Sequence, residues 1–173
     1  VQVVTQNIDD LHEQAGSATI HKLHGDLFTL RCTACSFRRA ATRPEILSKI
    51  EQFDHIVATG CMSVSALASL LPICKECGSY LRPDVVLFGE NLPPAAWEKA
   101  QAAVTICGCL LVVGTSAEVA PASMLPTIAH QVGAKIIEIN PRPVLKYAHI
   151  TLPGKVAEVM PRLIEAISCI AVS

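Results

Sequence analysis

Three short continuous apolar runs stand out along this chain, and within them apolar residues do not alternate with polar ones. The runs cover residues 1–5, 109–113 and 135–139. Continuous apolar runs of this length are typical of strands that are covered on both faces, as in parallel α/β sheets. Because the first run has no cap or turn before it, we expect the chain to be part of a longer protein.

Helical patterns separate these runs. The spacing of apolar residues predicts helices over residues 7–14, 44–53, 94–104, 121–132 and 155–167, and Pro126 should shorten or kink the fourth of them. A capping box, Thr42-Arg43-Pro44-Glu45, opens the second helix, whereas residues 58–71 receive no assignment. Alternation of strand and helix implies right-handed βαβ units. The predicted fold class is therefore α/β, with a Rossmann-like parallel sheet that is incomplete at its N-terminus.

Composition narrows the range of partners. The chain has 173 residues, of which 51% are hydrophobic and 17% charged, and its formal net charge is −1. A nearly balanced charge gives no electrostatic footprint for nucleic acid or an anionic membrane. The apolar runs are shorter than the ~20 residues that a membrane-spanning helix needs. No basic region with a following apolar stretch opens the chain, so we expect that a secretory signal is absent or was removed. We therefore expect no direct nucleic-acid partner and no membrane partner.

Four of the eight cysteines form two Cys-x-x-Cys pairs, Cys32 with Cys35 and Cys74 with Cys77. Two such pairs can complete a tetrahedral sulfur site, for which zinc is the preferred ion in a structural role. The alternative is two disulfides, which fits poorly with a chain that has no export signal. The pattern predicts an inserted zinc-binding module over residues 32–77, within a Rossmann-like domain made of residues 1–31 and 78–173. Cysteine usage also predicts a reducing, intracellular location, whether cytoplasm, nucleus or mitochondrial matrix.

Polar clusters follow the predicted strands at the point where each strand ends. They are Thr5-Gln6-Asn7-Ile8-Asp9, Gly114-Thr115-Ser116 and Asn140. Ligands of open α/β sheets bind at the carboxyl ends of the strands, so the clusters together indicate a nucleotide site. Taken singly, each is also compatible with a helix cap or an ordinary turn. His24 precedes Gly25 in a predicted loop and is the best-placed candidate for a general base.

These motifs, taken in order along the chain, resemble those of the sirtuins, which are NAD-dependent protein-lysine deacylases. The residues that carry the resemblance are Thr5-Gln6-Asn7-Ile8-Asp9, His24-Gly25, the two Cys-x-x-Cys pairs, Arg82-Pro83-Asp84-Val85-Val86-Leu87-Phe88-Gly89-Glu90-Asn91 and Gly114-Thr115-Ser116. The string around Phe88-Gly89-Glu90 is most similar to the bacterial and mitochondrial desuccinylase-like branches of the family.

The resemblance implies a role for the residues around the cofactor. Gln6 and Asn7 would contact the nicotinamide ribose, Ile8 would belong to the same cofactor-binding segment, and Asp9 would hold the carboxamide of nicotinamide. His24 would be the general base for a ribose hydroxyl, so that His24 and Asn7 are the predicted catalytic residues. The remaining cofactor contacts would be Gly114, Thr115, Ser116, Asn140 and Val156, which the resemblance places around the phosphates, the adenosine ribose and adenine.

The resemblance also implies the reaction and the partner. The family transfers an acyl group from a protein lysine to ADP-ribose and releases nicotinamide, so the expected cofactors are NAD and Zn²⁺ and the expected partners are acylated lysines on proteins. The substrate peptide would add as a strand between residues 86–89 and 118–121. Its predicted contacts are Val86, Phe88, Gly89, Glu90 and Val119.

One family motif does not occur in this sequence. Sirtuins carry a Gly-Ala-Gly-x-Ser phosphate loop before the first motif found here, and a chain without it is expected to bind NAD weakly. The sequence also leaves two alternatives to deacylation. The chain could serve as a catalytically inactive scaffold built from a zinc module and a sheet, or it could transfer ADP-ribose to protein.

Overall fold

The computed structural model describes residues 1–170 and divides the chain into two compact units, Val1–Pro93 and Pro94–Ser173. Both units mix helices with strands, and parallel strand pairs occur in each of them. Within residues 1–170, no helix combines the length and the apolar composition that crossing a membrane requires. The predicted domain boundaries at residues 32 and 77 remain a prediction.

The first unit contains a parallel strand pair and a separate antiparallel sheet. Strands β1 and β2 pair in parallel, with Val3 opposite Ile20, and β3 lies at the centre of a sheet of order β4-β3-β5. The elements are β1 (Val3–Thr5), α1 (Leu11–Gln14), β2 (Ile20–Lys22), β3 (Gly25–Cys32), β4 (Arg38–Ala40), α2 (Arg43–Ala58), α3 (Val64–Ala68) and β5 (Leu81–Val85).

A small core in the first unit surrounds the cysteine pairs. Its buried members are Leu30 and Cys32 of β3, Ala41 directly after β4, Cys74 before β5, and Leu81 of β5. All sixteen residues of α2 are at least partly exposed. This part of the unit therefore buries little apolar surface around its cysteines.

The second unit is built on a parallel sheet of order β6-β7-β8. Ile136 and Ile139 of β7 are fully buried, as are Ala100 and Ala129 on two of the helices. The elements are α4 (Pro94–Ile106), β6 (Cys109–Val113), a 3₁₀ turn (Ala122–Met124), α5 (Leu125–Gln131), β7 (Lys135–Asn140), β8 (Ile150–Pro153) and α6 (Val156–Ile170).

The first helix is shorter than its sequence pattern predicts. A helix over residues 7–14 is wrong, because α1 begins at Leu11. The side chain of Thr5 accepts a hydrogen bond from the backbone N–H of Asn7 at 3.1 Å, and Asp9 accepts one from Leu11 at 3.1 Å. Such local bonds give the backbone an alternative to the helix, so residues 6–9 form a loop.

The strand β6 is less covered than a strand in the middle of a parallel sheet. Cys109 and Leu111 are exposed, with 38% of Leu111 accessible, so burial on both faces was a wrong expectation for β6. Pro126 does shorten its helix. Since α5 begins at Leu125, Pro126 lies in the first turn, where a missing N–H breaks no helical hydrogen bond.

Candidate active site

A cavity of about 470 Å³ lies beside the end of β1 in the first unit. Its walls come from the loop after β1, from the turn between β2 and β3, and from the end of β5. The structure thus brings Gln6, Asn7, Ile8, Asp9 and His24 together around one space, which Val86, a predicted peptide contact, also lines. The other lining residues are Leu27, which the sequence reasoning missed, and Val85 and Leu87, which belong to a quoted motif but were given no role.

The His24 side chain is fixed by a contact with the loop after β1. Its Nδ1 atom lies 3.1 Å from the backbone oxygen of Gln6. A carbonyl oxygen only accepts hydrogen bonds, so this contact requires the proton on Nδ1 and leaves the lone pair of a neutral imidazole on Nε2. His24 is half-buried, and its own carbonyl accepts the N–H of Val86 at 2.9 Å. The imidazole is therefore held in the tautomer that a general base needs.

Gly25 is required by the close approach of β3 and β5. Its φ is +81°, and a Cβ atom built on it would lie 1.9 Å from the backbone oxygen of Asp84. The residue after His24 therefore has both a left-handed conformation and no room for a side chain. This packing sets the path of the turn that presents His24 to the cavity.

Replacing Gly25 by alanine is expected to destabilise the first unit strongly. The left-handed backbone and the overlap with Asp84 together should lower the free energy of unfolding by about 2–5 kcal/mol, as measured by denaturant unfolding. Gly16→Ala is the matched control, since Gly16 has a φ of +78° with nothing within 4 Å of its Cβ position. Equal losses for the two variants would contradict the role given to the Gly25–Asp84 approach.

The four cysteines of the two pairs meet in the first unit. The Sγ atoms of Cys32, Cys35, Cys74 and Cys77 all lie within 4.8 Å of one another, and all four are free thiols. The Sγ atoms of Cys32 and Cys77 are 3.4 Å apart, and those of Cys35 and Cys74 are 3.7 Å apart. These separations are too long for disulfide bonds, which need about 2.05 Å.

The donor set fits a closed metal centre. Backbone and side-chain hydrogen bonds from Ser79 lower the pKa of Cys77 to about 6. The backbone N–H of Phe37 lowers the pKa of Cys35, but burial and the thiols of Cys32, Cys77 and Cys74 outweigh it and raise that pKa to about 12. Four crowded sulfur ligands with no position left for substrate are the donor set of a structural zinc site.

In the second unit, the two predicted strand-end clusters lie together. The backbone N–H of Gly114 donates to Ile139 at 3.0 Å, and the side-chain amide of Asn140 donates to the carbonyl of Thr115 at 2.7 Å. Ser116 is exposed beside them, while Val156 is the first residue of α6 and is 43% exposed. The side chain of Asn140 thus joins the end of β7 to the turn after β6.

Glu138 is a residue of this unit that the sequence reasoning missed. It is fully buried, and its carboxylate accepts the backbone N–H groups of Val144 at 2.7 Å and Leu145 at 3.0 Å. The signal in the sequence was an acidic residue inside an otherwise apolar run. Glu138 holds the segment that follows Asn140 against β7.

The substitution Glu138→Gln should loosen that segment. One of the two N–H groups would face an amide NH₂ instead of an oxygen, which is expected to lower the free energy of unfolding by about 1–3 kcal/mol. Thermal and denaturant unfolding would measure the loss. Glu165→Gln, on the exposed surface of α6, is the control, and a loss no larger than that of the control would contradict the anchoring role.

The predicted peptide contacts lie on two segments. Val86, Phe88, Gly89 and Glu90 follow β5, and Phe88 is fully exposed while Leu87 between them is 53% exposed. Val119 lies in the second unit, after β6, and is 51% exposed. Leu87 and Phe88 thus place two adjacent large apolar side chains at the surface beside the predicted contacts.

The two units define an α/β protein that carries, in its first unit, a cavity lined by a histidine and three further polar side chains, and a separate four-cysteine centre. Within that class, the model of the Sir2 family matches residues 1–121, which is more than half of the chain. The chain belongs to the Sir2 family, the sirtuins, and the predicted family membership is confirmed.

Curated relatives agree with this assignment. The chain is 38% identical over 167 residues to NAD-dependent protein deacylase 2 of Pyrobaculum aerophilum, covering 95% of this chain and 58% of that protein. It is 40% identical to NAD-dependent protein deacylase of Pyrococcus furiosus, covering 95% of this chain and 60% of that protein. The chain therefore spans less than two thirds of the length of these relatives.

Solved sirtuin structures match along nearly the whole chain. A Sir2–p53 peptide–NAD⁺ complex gives a TM-score of 0.78 at 30% identity, covering 98% of this chain and 64% of that one. A Sir2 homolog–NAD complex gives 0.78 at 39% identity, covering 100% and 60%. Sir2Af2 bound to a myristoylated histone peptide gives 0.74 at 33% identity, covering 99% and 66%.

Proposed function

We propose that the protein to which this chain belongs removes acyl groups from protein lysines in an NAD-dependent reaction, giving nicotinamide and O-acyl-ADP-ribose. The observation that carries the proposal is the cavity of the first unit, where Gln6, Asn7, Asp9 and His24 line one space. Relatives named NAD-dependent protein deacylase are 38% and 40% identical to the chain over 167 residues, which supports the proposal. Because the chain spans only part of these relatives, the activity is a proposal for the whole protein.

NAD would supply a ribose whose bond to nicotinamide is cleaved and whose hydroxyl receives the acyl group. The chain's own contribution begins with His24, whose Nε2 can take a proton while Nδ1 stays bonded to Gln6. Asn7 and Gln6 would orient the sugar from the loop after β1, and Ile8 would line the same pocket. Asp9 would accept hydrogen bonds from a carboxamide, which is the chemistry of its carboxylate oxygens.

The other predicted residues would serve binding and stability. Gly114, Thr115 and Ser116 would line the phosphate and adenosine-ribose region, Asn140 would reach the adenosine ribose, and Val156 would contact adenine. The four cysteines would hold zinc in a closed site, which supplies stability rather than chemistry.

Acylated lysines on proteins are the proposed substrates. Neighbouring structures contain a p53 peptide, a myristoylated histone peptide and a propionylated peptide. The exposed apolar loop after β5 offers this chain a comparable surface, with Val86, Phe88, Gly89 and Glu90 as proposed contacts and Val119 as a further contact from the second unit. The eight free thiols favour a reducing compartment.

Incubation with NAD and an acyl-lysine peptide tests the proposal directly. Mass spectrometry is expected to find the deacylated peptide, nicotinamide and O-acyl-ADP-ribose in equal amounts. A panel of acetyl, propionyl, succinyl and myristoyl peptides would define the acyl preference. ADP-ribose attached to protein, with the acyl group still on the peptide, would instead support ADP-ribosyl transfer.

A further inference from the structure

Three arginines form a row across the antiparallel sheet of the first unit. Arg31 of β3 lies opposite Arg38 of β4 on one side and opposite Arg82 of β5 on the other. Residues that are directly opposite in neighbouring strands share a face of the sheet, and like charges in such positions repel each other. A row of three guanidinium groups therefore needs anions to be stable.

Two carboxylates alternate with the arginines. Asp84 lies 2.9 Å from Nε of Arg38 and 3.3 Å from Nε of Arg31. Glu90 lies 3.1 Å from Arg31 and 2.5 Å from Arg82, both contacts being made by its Oε1 atom. The result is a chain of five charges in the order Arg38, Asp84, Arg31, Glu90 and Arg82, in which each carboxylate bridges two arginines.

Glu90, the second carboxylate of this charge network, also closes the loop of residues 86–90. Oε2 of Glu90 accepts the backbone N–H of Leu87 at 3.0 Å, and the N–H of Glu90 donates to the carbonyl of Leu87 at 2.9 Å. Gly89 provides the left-handed turn between them, with a φ of +88°. Arg82, together with the N–H of Leu87, lowers the pKa of Glu90, so the carboxylate is charged at neutral pH.

The 86–90 loop relies on these polar contacts because two of its three large apolar side chains, Leu87 and Phe88, are exposed. Phe88 is fully exposed and Leu87 is more than half exposed, so neither packs the loop against a core. Oε1 of Glu90 instead connects the loop to β3 and β5, and Oε2 closes the loop on Leu87. The same charge chain includes Asp84, whose backbone oxygen lies against Gly25 beside His24.

We propose that Glu90 is a positioning residue, which holds the 86–90 loop in the conformation that receives the substrate peptide. This inference rests on the proposed function and changes the role of one predicted residue. Glu90 acts on the peptide through Leu87 and the loop backbone, with both carboxylate oxygens already engaged by the protein. Arg31 and Arg82 contribute to this positioning, because both bind Oε1 of Glu90.

Steady-state kinetics of Glu90→Gln separate positioning from a general structural effect. The KM for the acyl-lysine peptide is expected to rise about tenfold, equivalent to about 1.4 kcal/mol. The kcat and the KM for NAD should change less than about twofold, because the substitution weakens binding of the peptide equally in the ground state and in the transition state. Glu45→Gln is the matched control. Its carboxylate forms an equally close pair with Arg39 of β4 but does not contact the loop, so the peptide KM should stay unchanged.

A double-mutant cycle identifies the route of the effect. Arg82→Gln alone should also raise the peptide KM, and the variant with both substitutions should be no worse than Glu90→Gln alone. Additive effects of the two substitutions would overturn the proposal, as would a Glu90→Gln variant with the peptide KM of the wild type.

Amide exchange of the protein without substrate keeps this test independent of the deacylase activity. The N–H of Leu87 should exchange faster in Glu90→Gln and at the wild-type rate in Glu45→Gln. Unchanged exchange at Leu87 in Glu90→Gln would refute the contact between Glu90 and the loop. Absent turnover of the wild-type protein would refute the proposed function, and the exchange rates would still test whether Glu90 holds the loop.

Discussion

The substitution His24→Ala is expected to lower the turnover of acyl-lysine peptide by about 10²–10⁴-fold. His24 lines the cavity together with Gln6, Asn7 and Asp9, and the Gln6 carbonyl sets the tautomer of its imidazole. Alanine removes the proton acceptor but deletes a single hydrogen bond of the fold, so stability should fall by at most about 1.5 kcal/mol. Peptide and NAD binding should persist while the chemical step is lost.

Single-turnover kinetics with the full-length protein would measure this effect, and His21→Ala is the matched control. His21 lies three residues earlier on β2 and contacts Gln2 at 2.9 Å through its ring. The control should keep wild-type turnover. A His24→Ala variant that turns over at close to the rate of the control would remove His24 from the mechanism.

Removal of zinc is expected to unfold the region of residues 32–77. Binding free energies of structural zinc are about 10–16 kcal/mol and are coupled to folding. The region has little other stabilisation to replace that of zinc. Two of the four cysteines are part of its small core, and every residue of α2 is at least partly exposed. The protein should contain one zinc per chain, and chelation should abolish the far-UV circular dichroism contributed by α2 and α3.

Cysteine variants provide the control for chelation. Cys74→Ser should lose zinc and show the same loss of helical signal, because Cys74 is a buried member of the cluster. Cys61→Ser should retain zinc and stability, since Cys61 is exposed after α2 and contacts the carbonyl of Thr59. Full helical signal and an unchanged melting temperature in metal-free protein would contradict the structural role of zinc.

Features encoded by short stretches of sequence were predictable. The spacing of the Cys-x-x-Cys pairs led to four Sγ atoms that do lie together, and the apolar run at residues 109–113 coincides with β6. The capping box was also informative, because Thr42 caps α2 through the N–H of Glu45. In each case, the chemistry of a few neighbouring residues determines the local structure.

Features that depend on pairing between distant segments were not predictable. The row of arginines exists because β3 pairs with both β4 and β5 in one particular register, and nothing near Arg31 specifies that register. The start of α1 was missed because the side chains of Thr5 and Asp9 bond to the backbone and hold residues 6–9 in a loop. The cavity itself required the turn at Gly25 to bring His24 to that loop.

A crystal structure of the full-length protein with NAD and an acyl-lysine peptide tests the central claim most directly. The distance that matters joins Nε2 of His24 to the nearest hydroxyl oxygen of the nicotinamide ribose. We predict that it falls within about 2.6–3.2 Å, or is bridged by one water, with Nδ1 still bonded to Gln6. An imidazole turned away from the sugar, or a ribose bound outside the cavity of Gln6, Asn7 and Asp9, would contradict the account.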